Sequence, residues 1–339
     1  MRFVRLLAPL AFALLSIASA RAADPYHLRI GWVVVPSDLA PLMFEKPGLA
    51  PHAGKSYVPQ LTHFAGTSTV MTALASGELD MAVLAYSTFG LAVENAGMKD
   101  LRIIADSFQD GVPDYHTNNF VVRNDSPIKT VDDLKGKVLA SNETGSAIDM
   151  ALRAMLAKHK LQDKRDVTII EVRFPDQKAM LRQQKVDLIT AVAPFGFDPD
   201  LVSFTRPLFT QKEAVDRTEM IMRVAREGFI KEHRAVLVDF MEDYLNVLHY
   251  LSDPAHHDEA VKLICDVTKQ KPELYESWVF TKRDYFRDPN GIPDLQALQA
   301  NVKLQHELGF LRAVPDVKKY ADLSITEEAA KRLQKAASR

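Results

Sequence analysis

The sequence predicts an α/β protein of two doubly wound α/β lobes joined by two crossovers, with a cleft between the lobes and a helical C-terminal extension on the first. Three observations carry this expectation. Strand and helix patterns alternate over residues 28–85 and again over 137–192, the order that a parallel, doubly wound sheet requires. The two stretches share a strand–loop–helix unit. Beyond Glu227 the pattern turns helical almost throughout.

Residues 1–22 read as a secretory signal peptide. Arg2 and Arg5 precede an apolar run from Leu6 to Ile17, and Ala18-Ser19-Ala20 forms a small-residue exit. That run is shorter than the ~20 residues a spanning helix needs, and charge interrupts every later apolar run. The mature chain is expected to be soluble and exported. Of 42 basic and 44 acidic residues, the first 20 positions hold two Arg and no acid, leaving 40 against 44. No basic excess supports binding to nucleic acid. Cys265 is the only cysteine, so an exported chain without an internal disulfide must be stabilised by packing, as in a bacterial periplasm. Roughly 320 mature residues suit two lobes.

In order, 28–35 reads as a strand, Pro36-Ser37-Asp38 as a turn and 39–44 as a short helix. A second strand at 57–64, a loop at Gly66-Thr67-Ser68 and a helix at 70–75 that stops at Gly77 follow, then a third strand at 79–85. The second unit has a strand at 137–140, a polar loop at 141–145 and a helix at 146–159 with Ile148, Leu152, Met155 and Leu156 on one side. A strand at 167–172, a helix at 177–184 and a strand at 186–192 close it. Aligning Leu74 with Leu181 sets Leu79 on Val186 and Asp80 on Asp187, so the units look like two facing lobes. Residues 115–122 and 204–222 are the expected crossovers. This assigns 24–117 and 211–339 to lobe 1 and 118–210 to lobe 2, with the helical last third read as scaffold.

Enzyme signatures are absent: the sequence has no G-x-G-x-x-G, P-loop, G-x-S-x-G or H-E-x-x-H, and Cys265 sits in an apolar stretch. No catalytic residue or cofactor is expected. His256-His257 with Asp258 and Glu259 reads as an exposed helix start, since sequence neighbours point apart on a helix. Ligands of doubly wound sheets collect beyond the carboxyl ends of the strands, where Tyr86, Ser87 and Thr88 fall. Their hydroxyls would be costly to bury without partners. Thr144, Gly145 and Ser146 precede a helix, as Gly66 and Thr67 do, and helix N-termini favour anions as well as simple caps. Trp32 and Phe195 sit at strand ends with Phe89 and Phe197, where core packing is the alternative role. Together they favour a ligand with an apolar or aromatic body. Among the cationic groups Arg123, Arg173, Arg206 and His116, Arg173 and His116 are the candidates.

These segments, Leu28-Arg29-Ile30-Gly31-Trp32, Ala73-Leu74-Ala75-Ser76-Gly77-Glu78-Leu79-Asp80, Leu134-Lys135-Gly136-Lys137-Val138 and Gly145-Ser146 before a helix, together resemble the nitrate/sulfonate/taurine class of ABC-transporter periplasmic substrate-binding proteins. The resemblance spans nearly the whole mature chain. It implies a type II periplasmic binding fold, and a monomer that closes on a small-molecule ligand and delivers it to an inner-membrane permease with its ATPase. By position it implies contacts from the loop Trp32 to Ser37, from Gly66-Thr67, Tyr86-Ser87-Thr88 and Thr144-Gly145-Ser146, and from Pro194 and Phe195. Val33-Val34-Val35 stands where relatives often have polar groups, which points away from nitrate or taurine toward an apolar-bodied carboxylate or sulfonate. Aliphatic sulfonates or a thiamine-pyrimidine precursor come second. A biosynthetic enzyme of the same fold would need a Cys and His cluster, and a periplasmic sensor subunit is the third reading.

Overall fold

The computed structural model describes residues 24–338, so the expected signal peptide lies outside the described residues. The chain opens with β1 (Tyr26–Trp32), β2 (Tyr57–His63), α1 (Thr67–Ala75), β3 (Met81–Ala85), α2 (Tyr86–Glu94) and β4 (Leu101–Asp110). It crosses into β5 (Asn119–Arg123), β6 (Val138–Ser141), α3 (Ala147–Lys158), β7 (Thr168–Glu171), α4 (Phe174–Arg182), β8 (Ile189–Ala191), α5 (Pro199–Phe204) and β9 (Thr205–Thr210). It returns through α6 (Gln211–Val215) and β10 (Thr218–Arg226), then continues as α7 (Glu227–Glu232), α8 (Arg234–Ser252), α9 (His257–Thr268), α10 (Leu295–Glu307) and α11 (Ser324–Ala337).

The first lobe is built on a five-stranded sheet ordered β2-β1-β3-β10-β4. Leu28 and Ile30 of β1 and Val70, Ala73 and Leu74 of α1 are buried in one core, which lays the helix on the sheet. The helix stops as expected, with Gly77 at φ +80° just past Ser76, a left-handed conformation that glycine adopts without strain. In the second lobe β5 lies between β8 and β9, and β6 pairs with β7. A parallel bridge from Leu139 to Leu188 joins these groups, giving the run β7-β6-β8-β5-β9, the counterpart of the first sheet. The repeat extends to single groups. Asp80 Oδ2 accepts the Arg29 N–H at 2.9 Å, and Asp187 Oδ2 accepts the Val138 N–H at 3.0 Å. Both Asp N–H groups donate back to the same residues' carbonyls.

Four local expectations are corrected. Neither sheet is all parallel, because the crossover strands β5 and β10 enter the opposite lobe antiparallel to their neighbours. Residues 39–44 form only a 3₁₀ turn at Ala40–Leu42, which contains Pro41 and is started by Asp38 Oδ1 accepting the Ala40 N–H. β4 is a strand that the sequence reading did not assign. Tyr86-Ser87-Thr88 does not stand free at the strand end: β3 runs directly into α2, where Thr88 Oγ1 accepts the Ala85 N–H at 2.9 Å as a cap.

The last third packs on the first lobe through side chain to backbone bonds, Gln305 to the Ser87 carbonyl and Thr326 to that of Ile104. No helix among the described residues is long and apolar enough to cross a membrane. Beneath this layer, Asp106 and Glu219 lie side by side and buried, each accepting one backbone N–H, from Asp288 and Asp294. Burial raises Asp106 to about 7 and, with Asp106 beside it, lifts Glu219 well above its usual 4.5. The pair's stabilisation is therefore fully present below about pH 4 and is lost as pH rises through 7. Asp106→Asn keeps a donor and an acceptor and removes the titration near 7. Its melting temperature should rise relative to the parent by several degrees between pH 5 and pH 8; a pH-independent difference would show that Asp106 does not ionise in this range.

Candidate functional site

The two crossovers lie side by side where the lobes meet. Asn118 is the centre of this junction: its N–H donates to Asp110 Oδ2 at 2.9 Å, its Nδ2 to Gln211 Oε1 at 3.0 Å, and its carbonyl accepts the Gln211 N–H at 2.8 Å. Tyr285, from the C-terminal third, donates its hydroxyl to Asn118 Oδ1 at 2.5 Å and accepts the Ala193 N–H of the second lobe at 3.2 Å.

Above this junction the strand ends of both lobes enclose a cavity of about 80 Å³. Val33, Val34, Val83, Phe108, Ile148, Phe174, Val192, Met220 and Ile221 make it apolar. Ser37, Asp38, Thr67, Asn118, Asn142, Ser146 and Tyr285 supply its polar side chains. Val33, Val34 and Phe174 also line a neighbouring recess of about 580 Å³. Asp38 is the one charged group on the cavity wall. Its Oδ1 accepts Arg223 Nη2 at 2.7 Å, and that guanidinium, fully buried on β10, lies 4.2 Å over the Tyr244 ring. Asp38 Oδ2 and Arg223 Nε and Nη1 are buried without a protein partner.

The chain's own acids already occupy donors at both helix starts. At α1, Glu143 accepts the N–H groups of Ser68 and Thr69 at 3.0 and 3.2 Å. Before α3, the Thr144 N–H donates to Glu171 and the Gly145 N–H to Asp149, both at 2.9 Å, while Ser146 Oγ caps the Asp149 N–H. That leaves Thr67, the first residue of α1, and Ala147 and Ile148, the first two of α3, whose N–H groups have no intrahelical partner and which line the cavity.

Of the residues expected at a site, Ser37, Gly66, Thr67 and Ser146 line the cavity, and Trp32, Arg173, Pro194 and Phe195 line the outer recess. Tyr86, Ser87, Thr88, His116, Thr144 and Gly145 line neither. Tyr86 is buried on α2 and donates to the Ala147 carbonyl at 3.1 Å, and Ser87 lies wholly inside. Their hydroxyl segment serves helix capping and packing. His116 packs edge-on against Tyr285 and tilted against Phe197, and burial pushes its pKa down to about 4, so it carries no charge near neutrality. Arg173 is exposed and paired with Asp176 at 2.8 Å.

Sequence reasoning missed Phe108, Asn118, Met220 and Tyr285. Asn118 and Met220 were within reach, since both lie in the expected crossovers. His256 stacks on Tyr250 and His257 meets the Glu276 carbonyl, so they build no metal site together. His52, Asp239 and Glu242 do gather, but Arg332 reaches both acids at 2.9 and 3.6 Å.

Two α/β lobes of matching strand order, with crossovers side by side and a cavity at the strand ends, define the two-lobed periplasmic binding protein fold. The chain belongs to the NMT1-like family, whose model matches residues 21–265. No curated protein matches it. Among solved structures, the alkanesulfonate-binding protein SsuA from Xanthomonas axonopodis pv. citri, bound to MOPS, is 20% identical with a TM-score of 0.70, over 89% of this chain and 99% of that one. The periplasmic nitrate-binding protein NrtA from Synechocystis PCC 6803 is 15% identical with a TM-score of 0.69, over 93% and 90%. The desulfurization enzyme DSZB shares the fold at 15% identity and a TM-score of 0.62, over 91% and 99%.

The buried pair at the cavity wall is open to a direct test. Removing one partner strands the other charge in the core, so Asp38→Ala should cost about 3–5 kcal/mol in urea unfolding. A loss below ~1 kcal/mol, the range of exposed pairs, would show that water reaches Arg223.

Proposed function

We propose that this chain is the substrate-binding component of an ABC importer, acting as a periplasmic monomer that captures a small organic anion with an apolar, most simply aromatic, body. Lobe 1 comprises 24–117 and 211–339, lobe 2 comprises 118–210, and closure between them holds the ligand. The observation that carries this reading is the cavity itself, an apolar wall shared by the strand ends of both lobes and bordered by the first turn of α3. An apolar body gains from leaving water there, while the α3 N–H groups of Ala147 and Ile148 meet the acid group. Relatives of this fold support such a ligand, since SsuA holds MOPS and a DSZB variant is in complex with biphenyl-2-sulfinic acid. An aliphatic sulfonate is the second choice. Because an enzyme also shares the fold, chemistry is the competing reading, but no Cys, His or Lys lines the cavity and Cys265 lies on α9.

A thermal-shift screen of the chain from residue 24 tests the ligand class. At 100 times its dissociation constant a ligand should stabilise by about 2.7 kcal/mol. Aromatic carboxylates and sulfonates should give the largest shifts; amino acids or nitrate doing so would overturn the reading.

Ala147→Pro then tests the seat. Proline suits the first helical position, and Ser146 before it already has φ −67° and ψ 167°, as proline requires. The variant should melt close to the parent yet bind the best anion at least about tenfold more weakly, the loss of one charge-assisted hydrogen bond. Unchanged affinity would place the acid group elsewhere.

A further inference from the structure

The loop between β6 and α3 belongs to the second lobe, and helix α1 belongs to the first. Glu143 of that loop reaches across and sets one carboxylate oxygen on the Ser68 N–H at 3.0 Å and the other on the Thr69 N–H at 3.2 Å. Beside them Ser68 Oγ donates to the Thr144 carbonyl at 3.1 Å. These N–H groups belong to the first turn of α1 and have no partner within the helix, and the helix dipole there favours negative charge.

A second observation concerns Gly66. Its φ of −171° is extended backbone open to any residue, so glycine is not needed there for conformation. It is needed for space: a Cβ on Gly66 would stand 2.2 Å from Glu143 Oε2, and the nearest atoms around it all belong to Glu143 and Asn142. The first lobe thus keeps an opening sized for a carboxylate of the second lobe.

We propose that Glu143 is a built-in latch, a carboxylate of the chain itself that occupies the N-terminus of α1 and holds the two lobes together. The contact lies at the cavity edge, since Gly66 and Thr67 line the cavity. The latch depends only on groups of this chain and stands whatever the ligand is.

The test uses ligand-free protein from residue 24, as parent, Glu143→Ala, Gly66→Ala and the double variant. Hydrogen exchange is followed over 66–71, and the radius of gyration by small-angle X-ray scattering. Glu171→Gln is the control, because Glu171 bonds Thr144 within its own lobe. Glu143→Ala should speed exchange at Ser68 and Thr69 by about tenfold or more and enlarge the radius of gyration. Gly66→Ala, which displaces the carboxylate sterically, should do the same, and the double variant should add nothing. Glu171→Gln should leave the radius unchanged. Parental exchange and radius in Glu143→Ala would overturn the latch, as would opening by Gly66→Ala that adds to that of Glu143→Ala. Should Gly66→Ala fail to fold, Glu143→Ala decides alone.

Discussion

Each lobe depends on one carboxylate placed just ahead of its central strand. Asp80 clamps β3 to β1 by accepting the Arg29 N–H while its own N–H returns to the Arg29 carbonyl, and Asp187 does the same between the start of β6 and the approach to β8. A two-point clamp of this kind sets register. A slip of one residue would turn every side chain to the opposite face of the sheet. The register therefore decides that the chain leaves β1 through Val33 and Val34 and leaves β8 through Val192 and Ala193, all four on the cavity wall. The walls of the site follow from two half-buried carboxylate-to-backbone clamps at the far ends of the strands.

Those walls face each other because the crossovers cannot drift apart. Asn118 uses its N–H, its carbonyl and both side-chain groups, binding Asp110, Gln211 and Tyr285. A buried polar network is stabilising only when its members are satisfied, and such a network admits one arrangement of its members. Arg223 also fastens the return strand, through one contact that leaves its Nε and Nη1 without a protein partner. Its bond to Asp38 ties β10, in the middle of the sheet, to the loop after β1, so the floor and the rim of the cavity are one unit. Tyr285 extends the unit to the second lobe through the Ala193 N–H, which gives the C-terminal third a part at the site beyond scaffolding.

The lobes and their repeat were legible because they rest on periodic burial and on short spacings, as between Leu74 and Asp80 and between Leu181 and Asp187. The antiparallel entry of β5 and β10 was not, since strand direction comes from topology and leaves no mark on alternation. Tyr86-Ser87-Thr88 misled for a physical reason: the same hydroxyls that would meet a ligand at a strand end can cap a helix, and Thr88 does so. The apolar character of the site was visible in Val33-Val34-Val35. The acids that fill its helix starts, Glu143, Asp149 and Glu171, were not. They lie among many charged residues, and only the fold shows which of them meet unpaired N–H groups.

That use of acids shapes what the cavity can accept. Its wall carries no cationic side chain, and the negative charge of Asp38 is balanced by Arg223 from behind. Around it, Glu143 covers α1, while Glu171 and Asp149 cover the loop before α3. A fully hydrated anion would exchange strong water contacts for three helix N–H groups and a few neutral polar groups, a poor return for a small ion such as nitrate. An acid with an apolar body gains from burying that body against Val34, Phe108, Ile148 and Phe174, and asks of α3 only that it offset the desolvation of one end. Selectivity in such a site comes from the shortage of charge as much as from the shape of the wall.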